Sequence, residues 1–211
     1  MYDLEKVFAT LLHLQSPSSI KNRIFSFKNK EAVRNGRGQL LSAKNNLVQV
    51  SKTCTHWTPN FYLNSRSYCT KDGVVGGHSE KNLSQINLFV VDIDSKEKEF
   101  TEILLDALDF CFFPTVILET AKGYQALYAL EEPLYITSKT EFRTLKIAKL
   151  ISENLRRHIS SLGFEVDQGC NHFGISRIPK AETIIYFDKS KSIRSKTGSY
   201  GLKRLLNTFP F

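Results

Sequence analysis

The sequence predicts an α+β fold built on a split βαβ, RRM-like sheet, and three observations carry that reading. The run Leu88 to Asp94, LFVVDID, is apolar, strand-sized and ends in two aspartates. From Leu88 to Phe187 the segments follow the order strand, helix, strand, strand, helix, strand, with helices expected on one face. The stripe Phe142, Leu145, Ala148, Ile151, Leu155, Ile159 and Leu162 recurs at helical spacing along the longest predicted helix, Ser138 to Leu162.

Taken in order, Asp3 to Leu14 reads as a short amphipathic helix with Leu4, Val7, Phe8, Leu11 and Leu12 on one face and Asp3 as N-cap. Gly36, Gly38, Asn45 and Asn46 mark turns. The segments RIFSF, LVQV and FYL fit short strands, and Trp57-Thr58-Pro59-Asn60 fits a bend. Gly73, Gly76 and Gly77 predict a flexible loop. Leu88 to Asp92 is the central strand and Lys96 to Phe110 a helix. Thr115 to Glu119 and Tyr124 to Leu130 are strands around the turn Thr120-Ala121-Lys122-Gly123. The long helix has Ser138 as cap with Glu141 three residues on, and Gly163 stops it. Its stripe is core.

Size and charge bound the function. A chain of 211 residues buries a real core without crosslinks, and four scattered cysteines with no C-x-x-C point to a reducing cytoplasm. No apolar run could span a bilayer, so no membrane partner is expected. Eight basic residues lie between Ser16 and Lys52 against one acid, Glu31, and every charge after Asp188 is basic. Lys21, Arg23, Lys28, Lys30, Arg34 and Arg37 are the candidate phosphate-backbone contacts, against the alternative of a solvated basic surface.

The chemistry rests on acids. In a strand, Asp92 and Asp94 project to one face, roughly 7 Å apart at the backbone. Two such carboxylates repel by roughly 4 kcal/mol at 4 Å and an effective dielectric near 20, which a shared Mg²⁺ or Mn²⁺ would offset. The alternative is a helix-capping aspartate beside a solvated one. Asp167 follows the strand-like run Phe164-Glu165-Val166, and a split βαβ sheet can bring it to Asp92 and Asp94; otherwise it is a turn former. Three carboxylates with two metals fit in-line phosphoryl transfer. Gln125 is expected to face the nucleotide, Lys122 to neutralise a phosphate, Gly123 to permit close backbone approach, and Arg177 to grip a triphosphate bidentately. Lys122, Gln125 and Arg177 each have a duller reading as an ordinary turn, strand or surface residue. Cys54, His56, Cys69 and His78 match no compact zinc spacing. Trp57, Phe61 and Tyr62 read as core sooner than as a base-stacking platform.

The strings HWTPNFY, GGHSEKNLSQINLFVVDID, FPTVILETAKGYQALYALEEPLYITSKTEF and VDQGCNHFGISRIPK resemble the replication initiators of theta-replicating plasmids of Gram-positive cocci, members of the archaeo-eukaryotic primase superfamily. The resemblance covers about Cys54 to Asp188. It places the superfamily's first motif on Asp92 and Asp94, its second on Thr120, Lys122, Gly123 and Gln125, and its third on Asp167. It implies an archaeo-eukaryotic primase (prim-pol) core that joins nucleoside triphosphates on a single-stranded DNA template with Mg²⁺ or Mn²⁺. Plasmid origin DNA and host replication proteins are the implied partners. The second motif usually ends in His; Gln125 can hydrogen-bond a phosphate but carries no charge. His172 is then a candidate phosphate or template contact, against a turn histidine with no ligand. The expected organisation is a primase-like domain over 1–188, with a basic subregion 1–80 and an RRM-like subregion 81–188, and a basic tail or linker over 189–211. Two rivals are a non-catalytic origin-binding module of the same fold and a metal-dependent nuclease. A rolling-circle nicking enzyme is disfavoured because no H-x-H occurs.

Overall fold

The computed structural model describes residues 2–12, 24–41, 47–63, 68–70, 73–75, 80–94, 113–137, 143–169 and 171–193. In chain order its elements are α1 (Leu4–Leu11), β1 (Ile24–Phe27), α2 (Lys30–Arg34), β2 (Gln39–Leu41), α3 (Leu47–Thr53), β3 (His56–Trp57) and β4 (Phe61–Tyr62). There follow β5 (Tyr68–Thr70), β6 (Gly73–Val75), β7 (Leu83–Ile93), β8 (Val116–Glu119), β9 (Tyr124–Tyr135), α4 (Arg143–Ser161), β10 (Ser176–Arg177) and β11 (Ile184–Phe187).

Period-2 patterning makes β7 the centre of the molecule. Phe89, Val91 and Ile93 point to one face of a five-stranded antiparallel sheet, ordered β11-β8-β9-β7-β4, and pack in one cluster with Ala148, Ile151, Leu155 and Ile159 of α4. Leu88 and Val90 point to the other face, where α1, α3 and Trp57 of the second sheet cover them. Asp92 continues this second series. The second sheet is four-stranded, ordered β10-β3-β1-β2. The split βαβ order is present as β7-β9-β8, and its fourth place, beside the end of β7, is taken by Phe164 to Asp167. That segment is bridged to β7 through Ile93 and Val166. β11 instead extends the far edge against β8.

Three expectations need correction. LVQV is not a strand: Leu47, Ser51 and Cys54 are buried at helical spacing, and packing of α3 on α1 outweighs a β preference of a few tenths of a kcal/mol per residue. Gly73 opens β6, which pairs with β5, in place of the expected loop. The short helix α2, whose N-cap Asn29 accepts from the Ala32 N–H at 2.9 Å, stands in a stretch expected to hold strands and turns alone. The predicted helix Lys96 to Phe110 and the cap Ser138 lie outside the described residues.

The string around Trp57 is structural. Trp57 is buried edge-on against Phe8, at 5.4 Å between ring centroids. The Asn60 side-chain oxygen accepts from the backbone N–H groups of Asn87 (2.8 Å) and Leu88 (3.2 Å), where β7 bulges. The Tyr62 hydroxyl donates to the Phe173 carbonyl at 2.7 Å. Satisfied in this way, buried polar groups rigidify a core. Trp57, Phe61 and Tyr62 are all buried and offer no face to a base. From Lys189 to Ile193 the chain stays with the large sheet: the Ile193 N–H donates to the Ala129 carbonyl at 2.7 Å, and its side chain joins the core under α4; the rest of the expected tail lies outside the described residues.

Candidate active site

The end of β7 and the start of β9 form the floor of a cleft of about 380 Å³ between the two sheets. Asp92 stands directly opposite Gln125 in the ladder. Both share the face of Leu88, Val90 and Leu127, which the second sheet covers. Asp94, two residues beyond Asp92, also lines the cleft. Asp167 arrives from the far end of the chain, and two backbone bonds hold it there. The Asp167 N–H donates to the Asp92 carbonyl, and the Asp94 N–H donates to the Glu165 carbonyl, each at 3.0 Å. The Asp167 carboxylate accepts from the Gly169 N–H at 2.8 Å, which fixes its turn.

The opposite wall is basic. Arg177 of β10 pairs with His56 of β3, and Lys30, the first residue of α2, lies beside them. The Thr120–Gly123 turn closes the third side, with Lys122 exposed at its tip. The Gly123 N–H donates to the Thr120 hydroxyl at 3.1 Å, so these two residues hold the turn itself. The Ser176 hydroxyl, also lining the cleft, is buried and has no partner among the described residues.

Charge follows from this layout. Burial raises the Asp92 carboxyl above its usual range, and the charges of Asp94 and Asp167 raise it further. A side-chain hydrogen bond from Gln125 and the Arg177 charge act against the rise. His56 is pushed down to about 4, first by burial, then by Arg177 and Lys30. Its Nδ1 lies 2.7 Å from the Thr55 hydroxyl. At neutral pH the cleft therefore presents a neutral imidazole between two cations, facing three acids.

An oxygen-only donor set of three carboxylates suits a hard divalent cation such as Mg²⁺ or Mn²⁺. Among the described residues no three carboxylate, imidazole or thiol side chains already stand close enough to enclose one ion. Asp94 is exposed and Asp167 half-buried.

No family model matches the chain. It is 42% identical over 176 residues to Protein RepS of Streptococcus pyogenes and to Protein RepR of Streptococcus agalactiae, covering 82% of this chain. It is 41% identical over 180 residues to a replication initiation protein of Bacillus anthracis. The chain belongs to this replication-initiator family. It spans about a third of the length of these relatives, 35% in each case. Its fold matches the AEP domain of the cyanophage S-2L primase-polymerase, with a TM-score of 0.51 at 14% identity over 99% of this chain and 98% of that one. The fold is that of an archaeo-eukaryotic primase.

Of the residues singled out from sequence, the cleft brings together Asp92, Asp94, Asp167, Thr120, Lys122, Gln125, Arg177 and Lys30. Gly123 sits in the turn beside them. His172 is elsewhere: its Nδ1 lies 2.9 Å from the Ser152 hydroxyl and its Nε2 lies 3.3 Å from Glu153, both on α4. Arg34 ends α2 and Lys28 and Arg37 flank it, all three on the surface, while Lys21 and Arg23 lie outside the described residues. His56, weighed from sequence only as a zinc ligand, lines the cleft. Its signal was the alternation with Trp57, which turns one of the pair inward and the other toward Arg177. Cys54 is a buried free thiol. No described helix is long and apolar enough to cross a membrane.

Proposed function

We propose that this chain is the nucleotidyl-transfer domain of a plasmid replication initiator, joining nucleotides on single-stranded DNA as a primase or primase-polymerase. The observation that carries the reading is the convergence of three carboxylates from distant segments on one cleft whose facing wall is cationic. Asp92, Asp94 and Asp167 would hold Mg²⁺ or Mn²⁺. When bound, such an ion lowers the pKa of an attacking hydroxyl and offsets charge on the phosphates.

The chain's own side chains do the rest. Arg177 offers a planar fork to two oxygens of a triphosphate, and Lys30 and Lys122 add point charges on either side. His56, kept neutral, hydrogen-bonds without adding charge. The exposed cations on and beside α2, Lys28, Arg34 and Arg37, extend the positive surface outward from Lys30, along the path a template backbone would take. Origin DNA, nucleoside triphosphates and host replication proteins in the cytoplasm are the partners this role requires.

The test is de novo synthesis on a single-stranded template with labelled nucleotides and Mg²⁺ or Mn²⁺, comparing wild type with the Asp92→Ala, Asp94→Ala double variant. Product from wild type alone is expected. A second reading, a DNA-binding module without catalysis, is favoured by the open spacing of the three acids. It predicts bound DNA and no product from either protein.

A further inference from the structure

The amide of Gln125 lies where the two sheets meet, and its oxygen is captured by the second of them. The residue is 6% exposed. Its Oε1 accepts the Arg177 backbone N–H at 3.0 Å. A backbone N–H can only donate, so the amide cannot flip: the oxygen must face β10 and the NH₂ must face the other way. What lies the other way is Asp92, the directly opposite residue of the β7–β9 ladder on the same face, whose carboxyl the Gln125 side chain holds down against the rise that burial causes. A flipped amide would set NH₂ against N–H and oxygen against carboxylate, repulsive at both ends.

We infer that Gln125 is a positioning residue that ties the Asp92 carboxylate to the backbone of Arg177 and does not itself bind the nucleotide. This rests on the nucleotidyl-transfer reading and revises the sequence-based role of Gln125 within it. The cleft has an acidic floor in one sheet and a basic wall in the other. Gln125 spans that gap with one rigid planar group. It orients one Asp92 oxygen and leaves the other for a ligand, and it sets how far Arg177 stands from the acids. Glu at this position would put a carboxylate against Asp92. Leu would fill the space but supply neither bond.

The experiment separates metal from nucleotide. Mn²⁺ binding is read by water-proton relaxation, and binding of a fluorescent nucleoside triphosphate is read without metal, in EDTA. For Gln125→Leu the expected result is a loss of about 10- to 100-fold in Mn²⁺ affinity, the range for removing a group that orients a metal ligand, with metal-free nucleotide affinity within about twofold of wild type. If Gln125→Leu does not fold, Gln125→Asn decides. It keeps the amide but cannot reach both partners, and the same loss is expected. Unchanged Mn²⁺ affinity with weaker nucleotide binding would overturn the inference and leave the nucleotidyl-transfer reading standing. Wild type that binds no Mn²⁺ would overturn both.

Discussion

Replacing Arg177 by Ala removes a guanidinium while leaving its scaffold in place. The backbone of Arg177 stays paired with His56 and bonded to Gln125, because neither contact uses the side chain. A charge-assisted hydrogen bond contributes about 1.5–3 kcal/mol, so losing the grip on a triphosphate should weaken nucleotide binding about 10- to 100-fold. Binding of single-stranded DNA should change by no more than about twofold, since Lys28, Arg34 and Arg37, the cations proposed for the template path, are untouched. A second readout is internal. His56 sits at about 4 through burial, Arg177 and Lys30, in that order. Without Arg177 the burial and Lys30 remain, so the His56 pKa should rise from about 4 yet stay below 6.5. Fluorescence titration of nucleotide and DNA, with NMR titration of labelled imidazoles, measures all three. Unchanged nucleotide affinity with an unmoved His56 would refute the placement of the guanidinium in the cleft. Equal losses for nucleotide and DNA would refute its assignment to the triphosphate.

Other expectations concern stability and salt. Asn60→Ala strands two buried N–H groups, at Asn87 and Leu88, and should cost about 2–6 kcal/mol in denaturant unfolding; a loss under about 1 kcal/mol would refute the seating of β7 on this side chain. The folded pKa of His56 lies below its unfolded value, so the folded state binds fewer protons between pH 4 and 6.5. Stability is then full above about pH 6.5, falls as pH drops through that window and levels off below about 4. His56→Gln should flatten that fall in thermal melts across the window, and an identical profile would exclude His56 as a source. Lys28→Ala and Arg34→Ala should each lower the salt slope of DNA binding by about 1, measured by anisotropy against log salt; an unchanged slope would remove α2 from the template path.

How much of this was legible before the structure differs by element. β7 was readable because an apolar strand-length run ends in acids at i and i+2, and α4 because seven apolar residues keep one helical face. The meeting of Asp167 with Asp92 could be anticipated from the topology alone. α3 was misread because its valines favour a strand locally and only packing on α1 settles the matter. His56 went unrecognised because its partner, Arg177, comes from a strand too short to predict. The tie through Gln125 was hidden for a related reason. Alternation gives the face of a side chain, but the N–H that captures its oxygen belongs to another sheet, whose register no local pattern encodes.

The strands do not respect a division of the chain into halves. β4, from the first part, completes an edge of the large sheet, and β10, from the last part, completes an edge of the small one. Each sheet borrows an edge from the other's stretch of sequence. Neither can close during synthesis until the last strands have left the ribosome, so the acids gather late and nearly at once. Cutting the chain near residue 80 would leave two unfinished edges and no half with a cleft. Denaturation should accordingly run as a single cooperative transition.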